Sequence, residues 1–145
     1  MKDYHAVIDV EADVKSSRHA IHNNMHIWWS NRVELFQDGA TIRFNKSFVT
    51  FDFEPPQNQH QFIWNCREAK MIIEGVDDEA EWEGTKLLWQ LDEQEGGTRI
   101  SLTHQGLNTD LECCDVCFAG WERFFENSLK NHLNGEAASP EMSGG

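Results

Sequence analysis

The sequence predicts an α+β domain in which a curved antiparallel sheet of about seven strands wraps one long C-terminal helix. Three observations carry this reading. Apolar residues alternate with polar ones in short runs between His5 and His104, the period-2 pattern of half-buried strands. The runs are joined by short turn-rich connections, Asp38-Gly39, Asn45-Lys46-Ser47, Pro55-Pro56-Gln57-Asn58 and Gly96-Gly97, which favour a meander of neighbouring strands. After Leu111 the apolar repeat changes to steps of three and four, the period of a helix.

The first element is a strand, with Ala6, Ile8 and Val10 on one side and His5, Val7 and Asp9 on the other. Asp13 is placed to cap a short helix carrying Ala20 and Ile21. Asn23-Asn24 interrupts that helix, and a second brief turn holds Met25, Ile27, Trp28 and Trp29. Six strand-like runs follow. They are marked by Ile42 and Phe44; by Val49, Phe51 and Phe53; by Phe62, Trp64 and Cys66; by Met71 to Ile73; by Thr85, Leu87, Trp89 and Leu91; and by Thr98, Ile100, Leu102 and His104.

In the last element Leu111, Cys114, Phe118, Trp121, Phe125, Leu129 and Leu133 trace one apolar face along roughly six to seven turns, with Gly135 as C-cap. Residues 1–135 thus form one domain. Residues 136–145, rich in Ala, Ser, Gly and Pro, read as a disordered tail. A sheet that curves around a single helix is held away from it in places, so an apolar cavity is expected between the two.

Composition narrows the function. Twelve Lys and Arg against 25 Asp and Glu give a net charge of −13, which repels nucleic acid and anionic membrane surfaces. No stretch has the apolar length of a signal peptide core or a spanning helix, which points to a cytoplasmic protein. In that compartment the four Cys stay reduced, and no disulfide is expected. Glycine-rich phosphate loops and the G-x-S-x-G elbow are missing, so nucleotide and hydrolase classes lose support.

The inward-facing aromatic residues Trp28, Trp29, Phe51, Phe53, Trp64, Trp89, Phe118 and Trp121 are the candidate cavity lining; any one of them taken singly reads as core packing, and a share of them together as lining. His104 shares the apolar side of its strand with Ile100 and Leu102; there it could touch a ligand, serve as a base, or hydrogen-bond structurally. Cys113, Cys114 and Cys117 contain a C-x-x-C at a helix start. With only Cys66 as a further thiol, packing is favoured over a metal or redox site. His19, His22 and His26 are expected to diverge into solvent. The acidic residues Glu74, Asp77, Asp78, Glu79, Glu81 and Glu83 lack calcium-loop spacing and read as a solvated connection. Neither a metal nor a cofactor is called for, and an enzyme would have to rest on His104.

Several local motifs resemble the START-like SRPBCC superfamily with its helix-grip fold, in particular the bacterial branch related to the activator of the ninety-kilodalton heat-shock protein ATPase. The motifs are Trp82-Glu83-Gly84-Thr85, then Thr98 with Thr103-His104-Gln105-Gly106-Leu107, then Cys113 and Cys117 with Trp121 and Ser128-Leu129. The resemblance covers roughly residues 4 to 134. It implies a ligand pocket, and its members include lipid and hormone binders, cyclases and aromatases, and cochaperone domains. The expected function is binding of a small, mostly apolar molecule without turnover. A chaperone-interacting module and a cyclase-like enzyme using the same cavity are the alternatives the resemblance supplies.

Overall fold

A computed structural model describes residues 3–44, 46–56, 58, 60–73, 76–108, 111 and 114–142. Strand β1 (Tyr4–Val10) leads into helices α1 (Val14–Asn23) and α2 (Met25–Trp28). Strands β2 (Arg32–Phe36), β3 (Gly39–Phe44), β4 (Ser47–Phe53), β5 (Gln61–Lys70), β6 (Lys86–Gln94) and β7 (Gly97–Gln105) then form an antiparallel meander. Its last strand returns beside the first, giving the order β1-β7-β6-β5-β4-β3-β2. Asp13 caps α1 by accepting the Ser16 N–H at 2.7 Å, and the helix stops at Asn24, as the sequence predicts.

Seven antiparallel strands are therefore present, but their membership differs from expectation. Met71 to Ile73 lie outside the sheet, and Arg32–Phe36 supplies a strand instead. That edge strand is largely exposed, so it lacks the alternation that marks a half-buried strand. Between β4 and β5 the register passes from Thr50↔Glu68 to Phe51↔Cys66, leaving Arg67 as the extra residue of a bulge that bends the sheet.

The C-terminal helix runs without a break through α3 (Cys114–Trp121), a π-helical segment (Glu122–Leu129) and α4 (Lys130–Leu133). Leu111, expected in the helix, precedes it. Cys117, Trp121, Phe125, Leu129 and Leu133 repeat every four residues. A strict four-residue step overshoots an α-helical turn by about 40°. Opening the middle of the helix to i→i+5 bonding takes up part of that rotation, and Trp121, Phe125 and Leu129 all stay buried.

Over its described part the tail pairs with the body of the domain. Glu141 pairs with Ser30 in a parallel bridge, donating its N–H to the Trp29 carbonyl at 2.8 Å and accepting the Asn31 N–H at 2.9 Å. Ser128 Oγ donates to the Trp28 carbonyl at 2.6 Å and accepts the Ser139 N–H at 2.8 Å. One buried hydroxyl thus ties α2, the C-terminal helix and the tail together. Among the described residues no helix is long and apolar enough to cross a membrane.

Candidate functional site

Where β3, β4 and the residues after β5 meet the C-terminal helix, the grip stays open. A cavity of about 590 Å³ lies there. Trp29 and Trp121 form its floor, with ring centroids 5.0 Å apart, and Trp82 stacks on Trp121 at 5.9 Å with the planes 13° apart. Phe44 and Phe124, 6.1 Å apart, Met71, Ile73 and Val116 add apolar wall. Gly120 belongs to the wall as well. It lies inside α3, where glycine costs about 1 kcal/mol relative to alanine, yet a Cβ built on it would meet nothing within 4 Å. Lys46, Arg123 and Glu141 stand among the polar lining residues.

Behind the floor the packing is closed. Trp28, Phe51, Trp64 and Trp89 are buried in the core and interlock there with Phe125, Trp64 lying 5.8 Å from Phe51 and 5.3 Å from Trp89. Phe53 stacks on Trp64 at 4.4 Å, and Phe118 meets Tyr4 edge-on at 5.3 Å. Of the nine residues proposed from the sequence, the structure brings two, Trp29 and Trp121, to the apolar cavity. Trp89 borders a smaller recess of about 400 Å³ with Pro55, Pro56 and Phe62. The other six belong to the core or its edge. Alternation tells which face of a strand is covered, but not whether a ligand or a neighbouring side chain covers it.

His104 is likewise outside the cavity lining. It is fully buried beneath Trp121, whose Nε1–H donates to Nδ1 at 3.0 Å. The Thr85 hydroxyl donates to the Trp82 carbonyl at 2.6 Å, which leaves its oxygen to accept the His104 Nε2–H at 2.8 Å. These partners assign the Nε2–H tautomer and occupy both nitrogens. Burial holds the imidazole down to about 3, so it is neutral at ordinary pH. Trp82 closes the cluster by meeting His104 edge-on at 4.6 Å and donating its Nε1–H to Cys117 Sγ at 3.2 Å. Gly106 completes it: φ is +100°, and a Cβ there would lie 2.8 Å from Thr85 Cγ2. The geometry gives His104 a packing role and provides no free nitrogen for a ligand or a reacting proton.

The remaining candidates separate. Cys114 and Cys117 are buried on α3, and burial pushes the Cys66 thiol up to about 12; Cys113 lies outside the described residues. His19 and His26 are exposed. His22, expected in solvent, instead sits half-buried against Phe62, Phe53 and Trp64, with centroids 4.4, 5.5 and 5.4 Å away, and burial lowers its pKa. Asp77, Asp78, Glu79 and Glu83 are exposed, Glu81 is half-buried, and Glu74 lies outside the described residues. Among the described residues no three His, Cys, Asp or Glu converge to hold a metal ion.

A curved sheet gripping a C-terminal helix, with an apolar opening at one end, defines a helix-grip domain of the START-like SRPBCC class. The family model for "Activator of Hsp90 ATPase homolog 1-like protein" matches residues 11–134, and the chain belongs to that family. Solved structures agree in fold. The Aha1 dimer from Colwellia psychrerythraea is 20% identical with a TM-score of 0.72, over 92% of this chain and 97% of that one. The protein SSP2350 from Staphylococcus saprophyticus is 17% identical with a TM-score of 0.67, over 95% and 98%. DynU16, a protein of the dynemicin biosynthetic locus, is 13% identical with a TM-score of 0.71, and this chain spans 51% of it. No curated protein matches the sequence.

Proposed function

We propose that this domain binds a small, mostly apolar molecule, without turning it over, in the cavity between the sheet and α3. The observation that carries this reading is Gly120, a helix-interior glycine facing unfilled space on the wall of an aromatic-floored cavity. Packing alone would favour a larger residue at that position. About 590 Å³ falls within the range of small-molecule sites, and apolar burial at about 25 cal/mol per Å² would drive binding. The engaged, neutral His104 argues against proton transfer by that residue.

A thermal-shift screen with fatty acids, sterols, flavonoids and polyketide-like aromatics tests the reading. Ligand at 100 times its dissociation constant adds about 2.7 kcal/mol, which raises the midpoint of a domain this size by several degrees. If no compound moves the midpoint, the binding reading fails. The second reading, a chaperone-interacting module, is favoured by family membership and by Ile72 and Val116, which line the same cavity and are 45% and 52% exposed. Co-purification with a bacterial ninety-kilodalton chaperone, lost on replacing both residues by Asp, would support it.

A further inference from the structure

The charged side chains that line the cavity are Lys46, Arg123 and Glu141. The molecule carries a net charge of −13, yet two of its twelve cationic side chains, Lys46 and Arg123, line this one opening. They come from the turn before β4 and from the C-terminal helix, so only the fold brings them to the same cavity. Lys46 has no ion-pair partner among the described residues. Arg123 lies over the Phe124 ring at 4.7 Å and donates from Nη2 to the Pro140 carbonyl at 3.1 Å.

The chain supplies a carboxylate of its own beside these cations. Glu141, on the docked tail, lines the cavity and faces Arg123 Nη1 at 3.8 Å. That separation is long for a charge-assisted hydrogen bond, and the Arg123 side chain is 47% exposed, so the pair is weak and exchangeable. An amphipathic acid would lay its apolar body on Trp29 and Trp121 and present its carboxylate to Arg123 and Lys46. A cationic amphiphile would find one carboxylate, Glu141, against those two positive charges, and would desolvate its own head.

Resting on the binding reading above, we infer that the ligand class is an amphipathic carboxylic acid whose head group displaces Glu141 from Arg123 while its apolar body fills the cavity. The test is isothermal titration of the intact protein with dodecanoic acid, 1-dodecanol and dodecylamine, below the concentration at which each self-assembles. The acid is expected to bind at least about fivefold tighter than the alcohol, the size two half-exposed ion pairs supply. K46Q together with R123Q should erase that preference, bringing the acid down to whatever affinity the same variant shows for the alcohol. E141Q should tighten the acid about twofold to fivefold by removing the internal competitor. Equal affinity for acid and alcohol, or a preference for the amine, would overturn the head-group assignment while leaving the cavity reading intact. Binding of none of the three would also overturn the head-group assignment, and the cavity reading falls with it only if the thermal-shift screen is silent as well.

Discussion

Trp121 donates its indole N–H to Nδ1 of His104 across 3.0 Å, and the same indole forms the cavity floor with Trp29. The floor is thus anchored from behind by the buried chain Trp121 to His104 to Thr85 to the Trp82 carbonyl. Trp82, Thr85, His104 and Trp121 are among the residues through which the sequence resembles its family. In the structure they join in one buried cluster behind the cavity wall.

That chain makes stability depend on pH in a defined direction. The folded imidazole stays neutral down to about 3, whereas in the unfolded chain it takes up a proton near its ordinary value of 6.5. Below 6.5 the unfolded state binds more protons, so stability falls with falling pH until the folded group itself titrates. Between about pH 7 and about pH 5 this one group removes about 2 kcal/mol. Denaturant titrations should show a loss of that size in the wild type beyond whatever H104Q shows. Burial also lowers His22, which acts in the same direction and remains in the variant. Ring nitrogen shifts of the folded protein give a second reading, and a His104 titration near 6 would refute the assignment.

Thr85 and Trp121 should prove energetically coupled through the ring they share. T85V leaves the His104 Nε2–H without its acceptor, and W121F leaves Nδ1 without its donor, each at a cost of about 1–3 kcal/mol. With one partner lost the imidazole is already held less firmly, so the double variant should lose less than the two separate losses combined. Urea midpoints read this directly; strict additivity would mean the two contacts act independently.

Ser128 is expected to hold the tail in place. S128A removes the acceptor of the Ser139 N–H and the donor to the Trp28 carbonyl, both in a buried setting. The expected loss is about 1–2 kcal/mol, with faster amide exchange at Asn31 and Glu141, whose N–H groups form the bridge between the tail and the end of α2. Unchanged exchange at those two amides would show that the bridge stands without Ser128.

The paired glycines of the β6–β7 hairpin should respond differently to alanine. A Cβ on Gly97 would lie 1.9 Å from the Val10 carbonyl oxygen of the neighbouring strand, so G97A must push β1 from β7 and should cost about 3 kcal/mol or more. Gly96 has open space around its Cβ direction but a φ of +79°, so G96A should cost only about 1 kcal/mol and G96N less. Thermal midpoints of the three variants check the order.

The layout of strands and helix was legible because burial imposes a period on the residues themselves: Ala6, Ile8 and Val10 alternate, and Trp121, Phe125 and Leu129 step by four. The edge strand Arg32–Phe36 was not, since exposure removes the alternation. The docked tail hid for a related reason. Its anchors are backbone groups of Ser139 and Glu141, which any sequence can supply. The cavity lining was legible only in Trp29 and Trp121. Met71 and Ile73 pass for a strand, Phe124 sits beside the apolar face of the helix, and Lys46 and Arg123 meet only through the fold. One local signal was available, a glycine at position 120 inside an otherwise continuous helical repeat.

Gly120 therefore offers the sharpest separation of stability from binding. G120A restores ordinary helix propensity at a site with room for the methyl group and should raise stability by about 0.5–1 kcal/mol. G120F projects a ring into the same space. It should fold, because the cavity wall there is unfilled, and it should abolish the midpoint shift given by any ligand the wild type binds. If G120F folds and the ligand-induced shift persists, the ligand sits elsewhere in the molecule. If G120A destabilises, the space beside Gly120 is needed by the protein's own packing, and the cavity loses the feature that distinguishes it as a binding site.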